Sequence, residues 1–105
     1  MRVRLYKKTK DNQSYFQFIG DDDQVVLNSQ GYAGKEDRNN GVRSVVANAG
    51  NPDRYERHTA NGKHYFTIKA ANGQEIARSV QYDNEADMET AIALAIKEIP
   101  AIASA

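Results

Sequence analysis

Shifting the chain by fifty residues lays positions 4–48 over 54–98 without a gap. This internal register constrains the fold more than any other feature, because the second half must be able to form whatever the first half forms. Eight of the 45 aligned pairs are identical: Arg4/Arg54, Thr9/Thr59, Tyr15/Tyr65, Phe16/Phe66, Gln24/Gln74, Ser29/Ser79, Tyr32/Tyr82 and Asp37/Asp87. The turn chemistry repeats as well. Asp11-Asn12 aligns with Asn61-Gly62, and Asn-Gly is the strongest short hairpin signal because both residues tolerate positive φ. Asp21-Asp22-Asp23 aligns with Ala71-Asn72-Gly73, where Gly suits the left-handed position of a three-residue loop.

Between these turns the apolar residues alternate, which predicts strands at Val3–Lys8, Tyr15–Ile19 and Val25–Ser29, and again at Arg54–Thr59, Tyr65–Ala70 and Glu75–Ser79. Each half then changes to helical spacing. Val42, Val45, Val46 and Ala49 form one stripe, ended by Gly50 and Asn51-Pro52. Met88, Ile92, Ala95, Ile96 and Ile99 form the other, with Asn84 and Asp87 as its cap and Pro100 as its expected stop. Gly41 and Ala91 hold equivalent helix positions; a mid-helix Gly costs ~1 kcal/mol relative to Ala, so a close backbone approach is expected there. The fold class is therefore α+β, two tandem β-β-β-α repeats. Residues 1–105 are expected to be one domain, with repeats at 1–50 and 51–100 and a tail at 101–105.

The segments LNSQGYAGKEDRNNGVRSVVANAG and RYERHTANGKHYFTIKAANGQEIARS resemble the bacterial YegP family of tandem-repeat proteins, over about residues 3–98. KAANGQEIA together with GY and NGVRSV carries most of that resemblance. It implies a single antiparallel sheet shared by the two repeats, with both helices on one face. It brings no activity, catalytic residue or ligand. The second repeat departs from the pattern after Tyr82, where DNEADMETAIALAIKEI lacks the helical Asn-Gly pair.

Lys plus Arg equals Asp plus Glu, 14 of each, so no global field draws the chain toward nucleic acid or membrane. The balance is local. Residues 1–50 carry eight basic and six acidic side chains, residues 51–105 six and eight, and Arg2, Arg4, Lys7, Lys8 and Lys10 crowd the first ten positions. Cysteine is absent, which removes disulfides, thiolate nucleophiles and Cys-based zinc sites. No signal-type apolar segment or membrane span is legible, so a cytoplasmic location without membrane contact is expected.

Turn lengths decide which side chains share a sheet face. A two-residue loop at Asn61-Gly62 pairs Tyr55 with Ile68 and Arg57 with Phe66, and a three-residue loop pairs Ile68 with Ile76. The core face is then Tyr55, Phe66, Ile68 and Ile76, matched by Leu5, Phe16, Phe18 and Val26, with Val3 added. The opposite face is polar in the second repeat. In the first it gathers Ile19, Val25 and Leu27 beside Tyr6 and Tyr15, fringed by Arg4 and Lys8, and an apolar patch with a polar rim is a usual contact surface. The candidate interaction face is accordingly Arg4, Tyr6, Lys8, Tyr15, Ile19, Val25, Leu27 and Tyr65. A plainer reading has Met1 or the tail at 101–105 covering it.

A protein partner or self-association through this face is the leading expectation. Tyrosines beside cations also suit a weak single-strand nucleic-acid binder, although zero net charge counts against phosphate binding. No cofactor, metal or catalytic group is implied. His58 and His64 lack a third ligand, the Asp21–Asp23 run lacks the Gly and Glu of a calcium loop, and no serine has a His–Asp setting. A non-enzyme is expected.

Overall fold

The computed structural model describes residues 1–102. The strands are β1 (Arg2–Lys8), β2 (Gln13–Ile19), β3 (Val25–Asn28), β4 (Tyr55–Ala60), β5 (Lys63–Lys69) and β6 (Glu75–Ser79), and the helices are α1 (Lys35–Asn48) and α2 (Glu85–Ile102). Each half thus runs β-β-β-α, and the six strands form one antiparallel sheet in the order β1-β2-β3-β6-β5-β4. The halves meet where β3 pairs with β6, through Leu27–Ser79 and Asn28–Arg78. Residues 28 and 78 are one repeat apart, so an approximate two-fold axis passes through their pair. Both helices pack on the same side, over a core of Phe16, Phe18, Leu27, Val45, Tyr55, Phe66, Ile68, Met88, Ile92 and Ile99.

The identical residues have local reasons. Gln24 and Gln74 close the second hairpin, each amide bonding the side chain of Asp22 or Asn72 and each carbonyl accepting from Gly20 or Ala70. Asp23 takes the left-handed conformation that Gly73 takes in the other half, at φ 65° and 86°. Ser29 and Ser79 stand in for a missing strand partner, their Oγ atoms accepting from the amides of Phe16 and Phe66 at 2.9 Å. Tyr32 and Tyr82 bridge back to Ser14 and His64.

Four sequence expectations are corrected. The largest concerns β3 and β6. A β-bulge lies between Phe18 and Ile19, and its counterpart lies between Ile68 and Lys69, so Phe18 pairs with Leu27 and Ile68 with Ala77. Val26 and Ile76 become the extra residues, half-buried at the margin of the core. One inserted residue inverts the faces of everything after it. Leu27, expected on the open face, is fully buried in the core, and Ser79 lies on that side too.

The second correction concerns β1. Arg2–Ile19 and Tyr6–Tyr15 pair in one half, Tyr55–Ile68 and His58–Tyr65 in the other. Strand β1 is therefore displaced by two residues from the fifty-residue offset, because four residues (9–12) separate its last pair where β4 needs only Asn61-Gly62. Val3 takes the place of Tyr55, and Leu5 that of Arg57. Leu5, expected in the core, is consequently 49% exposed.

Third, α2 does not stop at Pro100 but runs through it to Ile102. Proline removes one backbone bond and clashes with the preceding turn, yet only two residues of α2 follow it. Its ring instead packs at the end of α1, where a Cβ on Gly50 would lie 3.1 Å from Pro100 Cγ. The expected tail is thus helical at Ala101 and Ile102, and residues 103–105 lie outside the described residues. Fourth, Met1 does not cross the open face; it packs against the core beside α2, its amine bonded to Glu98 at 2.8 Å and to Asp21 at 3.2 Å.

Candidate functional site

The side of the sheet without helices carries the residues singled out from sequence, apart from Leu27. Alternation on β1 and β2 turns Arg4, Tyr6, Lys8, Tyr15 and Gln17 outward. Tyr6 and Tyr15 are cross-strand partners, with ring centroids 5.5 Å apart and planes 14° from parallel. Arg4 lies 5.0 Å from the centre of the Tyr6 ring and Lys8 lies 4.4 Å from that of Tyr15. The four side chains form a column of cation, ring, ring and cation. Asp11, in the β1–β2 loop, accepts from the Tyr15 hydroxyl; this bond lowers the Asp11 pKa and raises that of Tyr15. Gln17 connects Arg4, at 3.1 Å, to Asn28 on the two-fold axis, at 2.9 Å.

Ile19 pairs with Val25 beyond this column, but Ile19 is only 6% exposed and Val25 is half-buried. The open apolar patch expected from sequence is therefore absent in that form, and the exposed feature is the aromatic-cation column. Tyr65 lies in the second half, stacked on His58 at 4.7 Å with Arg78 over the ring at 5.4 Å.

The halves differ in how their cations are held. On the second half's open face Lys69 pairs with Glu56 and Arg78 with Glu75. Those partners lower the pKa of Glu56 and raise that of Arg78. Among the described residues Arg4 and Lys8 have no carboxylate within ion-pair distance. His58 bonds the Thr67 hydroxyl at 3.0 Å and His64 that of Thr59 at 3.4 Å.

A second surface was not foreseen from sequence. A groove of about 550 Å³ lies between α2 and the β2–β3 hairpin, floored by Met1, Val26, Val80, Tyr82 and Leu94 and rimmed by Asp21, Asp22, Asp87 and Glu98. The signal for it was the Gly41/Ala91 difference. In the first half Tyr32 packs directly on α1: a Cβ on Gly41 would be 2.5 Å from its hydroxyl oxygen. Tyr32 also stacks on Phe16, at 6.2 Å and 20°. Tyr82 makes the same backbone bridge, to His64, and lines the groove together with Ala91, which stands where the first half has Gly41. Burial, together with the charges of Asp22 and Asp87, raises the Tyr82 pKa.

Two adjacent segments, residues 9–56 and 60–101, match the model of a domain of unknown function, DUF1508. The chain belongs to this family. The DUF1508 match takes in the greater part of both halves. Relatives include the UPF0339 protein plu2779 of Photorhabdus laumondii, 41% identical over 92 residues, 87% of this chain and 81% of that protein. The UPF0339 protein YegP of Escherichia coli K12 is 40% identical over 87 residues, 82% and 79% of the two chains. The solution NMR structure of the UPF0339 protein SO3888 from Shewanella oneidensis superposes with a TM-score of 0.86 at 31% identity, covering 93% of this chain and 83% of that one. That of YegP from E. coli gives 0.83 at 37%, covering 93% and 84%. The YegP-like α+β fold is thereby shown. No helix among the described residues is long and apolar enough to cross a membrane.

Proposed function

We propose that this chain is a non-catalytic cytoplasmic binding module that contacts an acidic segment of a protein partner through the open sheet face of its first half. The observation that carries the reading is the column of Arg4, Tyr6, Tyr15 and Lys8, whose rings are half-buried and whose two exposed cations have no ion-pair partner among the described residues. Aromatic and arginine side chains on a fixed backbone contribute most to protein contacts, since little freedom remains to be lost on binding. The cations attract an acidic surface. Strand β1 is also an edge of the sheet, so an extended segment beside it meets unpaired backbone groups as well as the column.

The same geometry weighs against a single-strand nucleic-acid binder. Base stacking needs a free ring face, and here each tyrosine is stacked on the other and also has a cation over its ring. The test is binding of an acidic peptide with aromatic side chains, compared with a single-stranded oligonucleotide at equal charge. Arg4→Glu with Lys8→Glu should weaken the peptide about tenfold, whereas Lys69→Glu should change it by less than about twofold. Tighter binding of the oligonucleotide, or equal losses from the two sets of variants, would refute the reading.

A further inference from the structure

The groove beside α2 lies on the helix side of the sheet, remote from the aromatic-cation column, and calls for a different occupant. We propose that it binds an extended basic segment of a protein partner, with a lysine or arginine at the Asp22–Asp87 end and apolar side chains running over Leu94 toward Met1.

Charge sets the sign of the partner. Four carboxylates rim the groove, and no lysine or arginine is among its lining residues. Asp21 and Glu98 are engaged by the Met1 amine. Asp22 and Asp87 accept hydrogen bonds from the Gln24 amide and the Asn84 side chain, but have no ion-pair partner among the described residues. Both flank Tyr82. An approaching ammonium or guanidinium therefore meets two carboxylates without an ion-pair partner among the described residues, both lining the groove with Tyr82.

Shape sets the class. From Asp87 to Glu98 the wall of the groove follows eleven residues of α2, about 16 Å at the helical rise, which matches about five residues of extended chain. Between those ends Leu94 is 44% exposed, one of two large apolar side chains left open in the molecule's described part. A compact amine would occupy one end and leave Leu94 in water; a short peptide covers the whole length.

Ala91 lines the groove at the helix position where the first half has Gly41, the glycine on which Tyr32 packs. Its replacement by glycine is expected to let Tyr82 settle closer to α2 and narrow the groove.

The experiment uses the full chain and three labelled pentapeptides, Lys-Leu-Val-Leu-Gly, Glu-Leu-Val-Leu-Gly and Lys-Ser-Thr-Ser-Gly, with affinity from anisotropy and location from amide shifts. The first peptide should bind, perturb Thr90, Leu94 and Tyr82, and exceed both controls by about tenfold. Asp22→Asn, which keeps the hairpin hydrogen bond, should weaken it about threefold. Leu94→Gln should weaken it about tenfold, as should Ala91→Gly. Leu94 is exposed, so its variant keeps the test available if Ala91→Gly lowers helix stability too far. Equal binding of either control peptide, no loss with Leu94→Gln, or shifts confined to β1 and β2 would overturn the proposal. Self-association of the unliganded protein that Leu94→Gln abolishes would also overturn it, since a second copy would then be the occupant.

Discussion

The two halves of the molecule share a backbone from β2 to the helix and diverge in several places. The loop before β2 is longer in the first half, which moves β1 by two residues. Gly41, on which Tyr32 packs, stands where the other helix has Ala91. Arg38, 8% exposed, stands where the other core has Met88, 2% exposed. On the open face Arg4 and Lys8 have no ion-pair partner among the described residues, although Arg2 pairs with Asp23, whereas Lys69 and Arg78 of the second half are both paired. The same fold thus yields two unlike surfaces, an aromatic-cation column on the first half's outer face and an acid-rimmed groove beside the second half's helix. Small local substitutions made this difference, and exchanging residues between the halves tests each one.

The largest effect belongs to the core exchange. Met88→Arg buries a charge with no counterpart and should destabilise the fold by about 3 kcal/mol or more, read from urea denaturation. Arg38→Met should do the opposite and stabilise by about 1 kcal/mol, because Asn39 is the only partner the guanidinium has among the described residues. Equal and opposite changes would mean that the two helix sites are equivalent after all.

Gly41→Ala comes next. In an open helix this exchange stabilises by ~1 kcal/mol. Here the new methyl would meet the Tyr32 hydroxyl at 2.5 Å and Phe16 Cε2 at 3.1 Å, so Tyr32 must leave its stack on Phe16. We expect a net loss of about 1 kcal/mol and a shift of the Tyr32 ring resonances toward those of Tyr82. A gain in stability would show that Tyr32 is not held by the missing methyl.

Much of this was legible in the sequence. The strand-turn pattern, both helix stripes and the close approach at Gly41 follow from periodicity, turn residues and the single mid-helix glycine, whereas the shared sheet was implied by the family resemblance. The bulges were not legible, because Val26 and Val25, or Ile76 and Glu75, offer no local mark of an extra residue; only the competition between Leu27 and Val26 for the core decides it. Nor was the displacement of β1, since the Thr9/Thr59 and Arg4/Arg54 identities support a gapless alignment that the longer loop breaks. Arg4, Tyr6, Lys8 and Tyr15 lie on the open side as expected, whereas the bulge turns Leu27 into the core, Ile19 is buried and Val25 is half-buried. The groove is built from residues distant in sequence, and only the Gly41/Ala91 contrast hints at it.

A smaller exchange concerns the helix starts. Asn84 caps α2, accepting from the Asp87 amide at 2.8 Å, whereas α1 begins at Gly34 without a side-chain cap. Asn84→Ala should cost about 1 kcal/mol and Gly34→Asn should gain a few tenths, about 0.3 kcal/mol, both from thermal unfolding. Gly34 has an extended φ of −140° and open space around it, so the new side chain meets no obstacle.

The smallest effect is in acid titration. Glu56, Asp83 and Glu89 have lowered pKa values because Lys69, Lys63 and Arg57 bond them. A depressed carboxylate contributes stability above its unfolded pKa and loses it as the pH falls through the folded value. These three should titrate below the ordinary range in carboxylate-detected NMR, and added salt should bring them back toward it. Asp11, lowered chiefly by the Tyr15 hydroxyl, should respond least to salt, because a neutral donor is not screened.

The difference between the open faces is tested most directly by mapping an acidic, aromatic-bearing peptide onto the full chain by amide and tyrosine ring shifts. Perturbations concentrated at Arg4, Tyr6, Lys8 and Tyr15, with the paired positions Glu56, Lys69 and Arg78 silent, are the expected result. Equal perturbation of both halves, or none at the column, would contradict it.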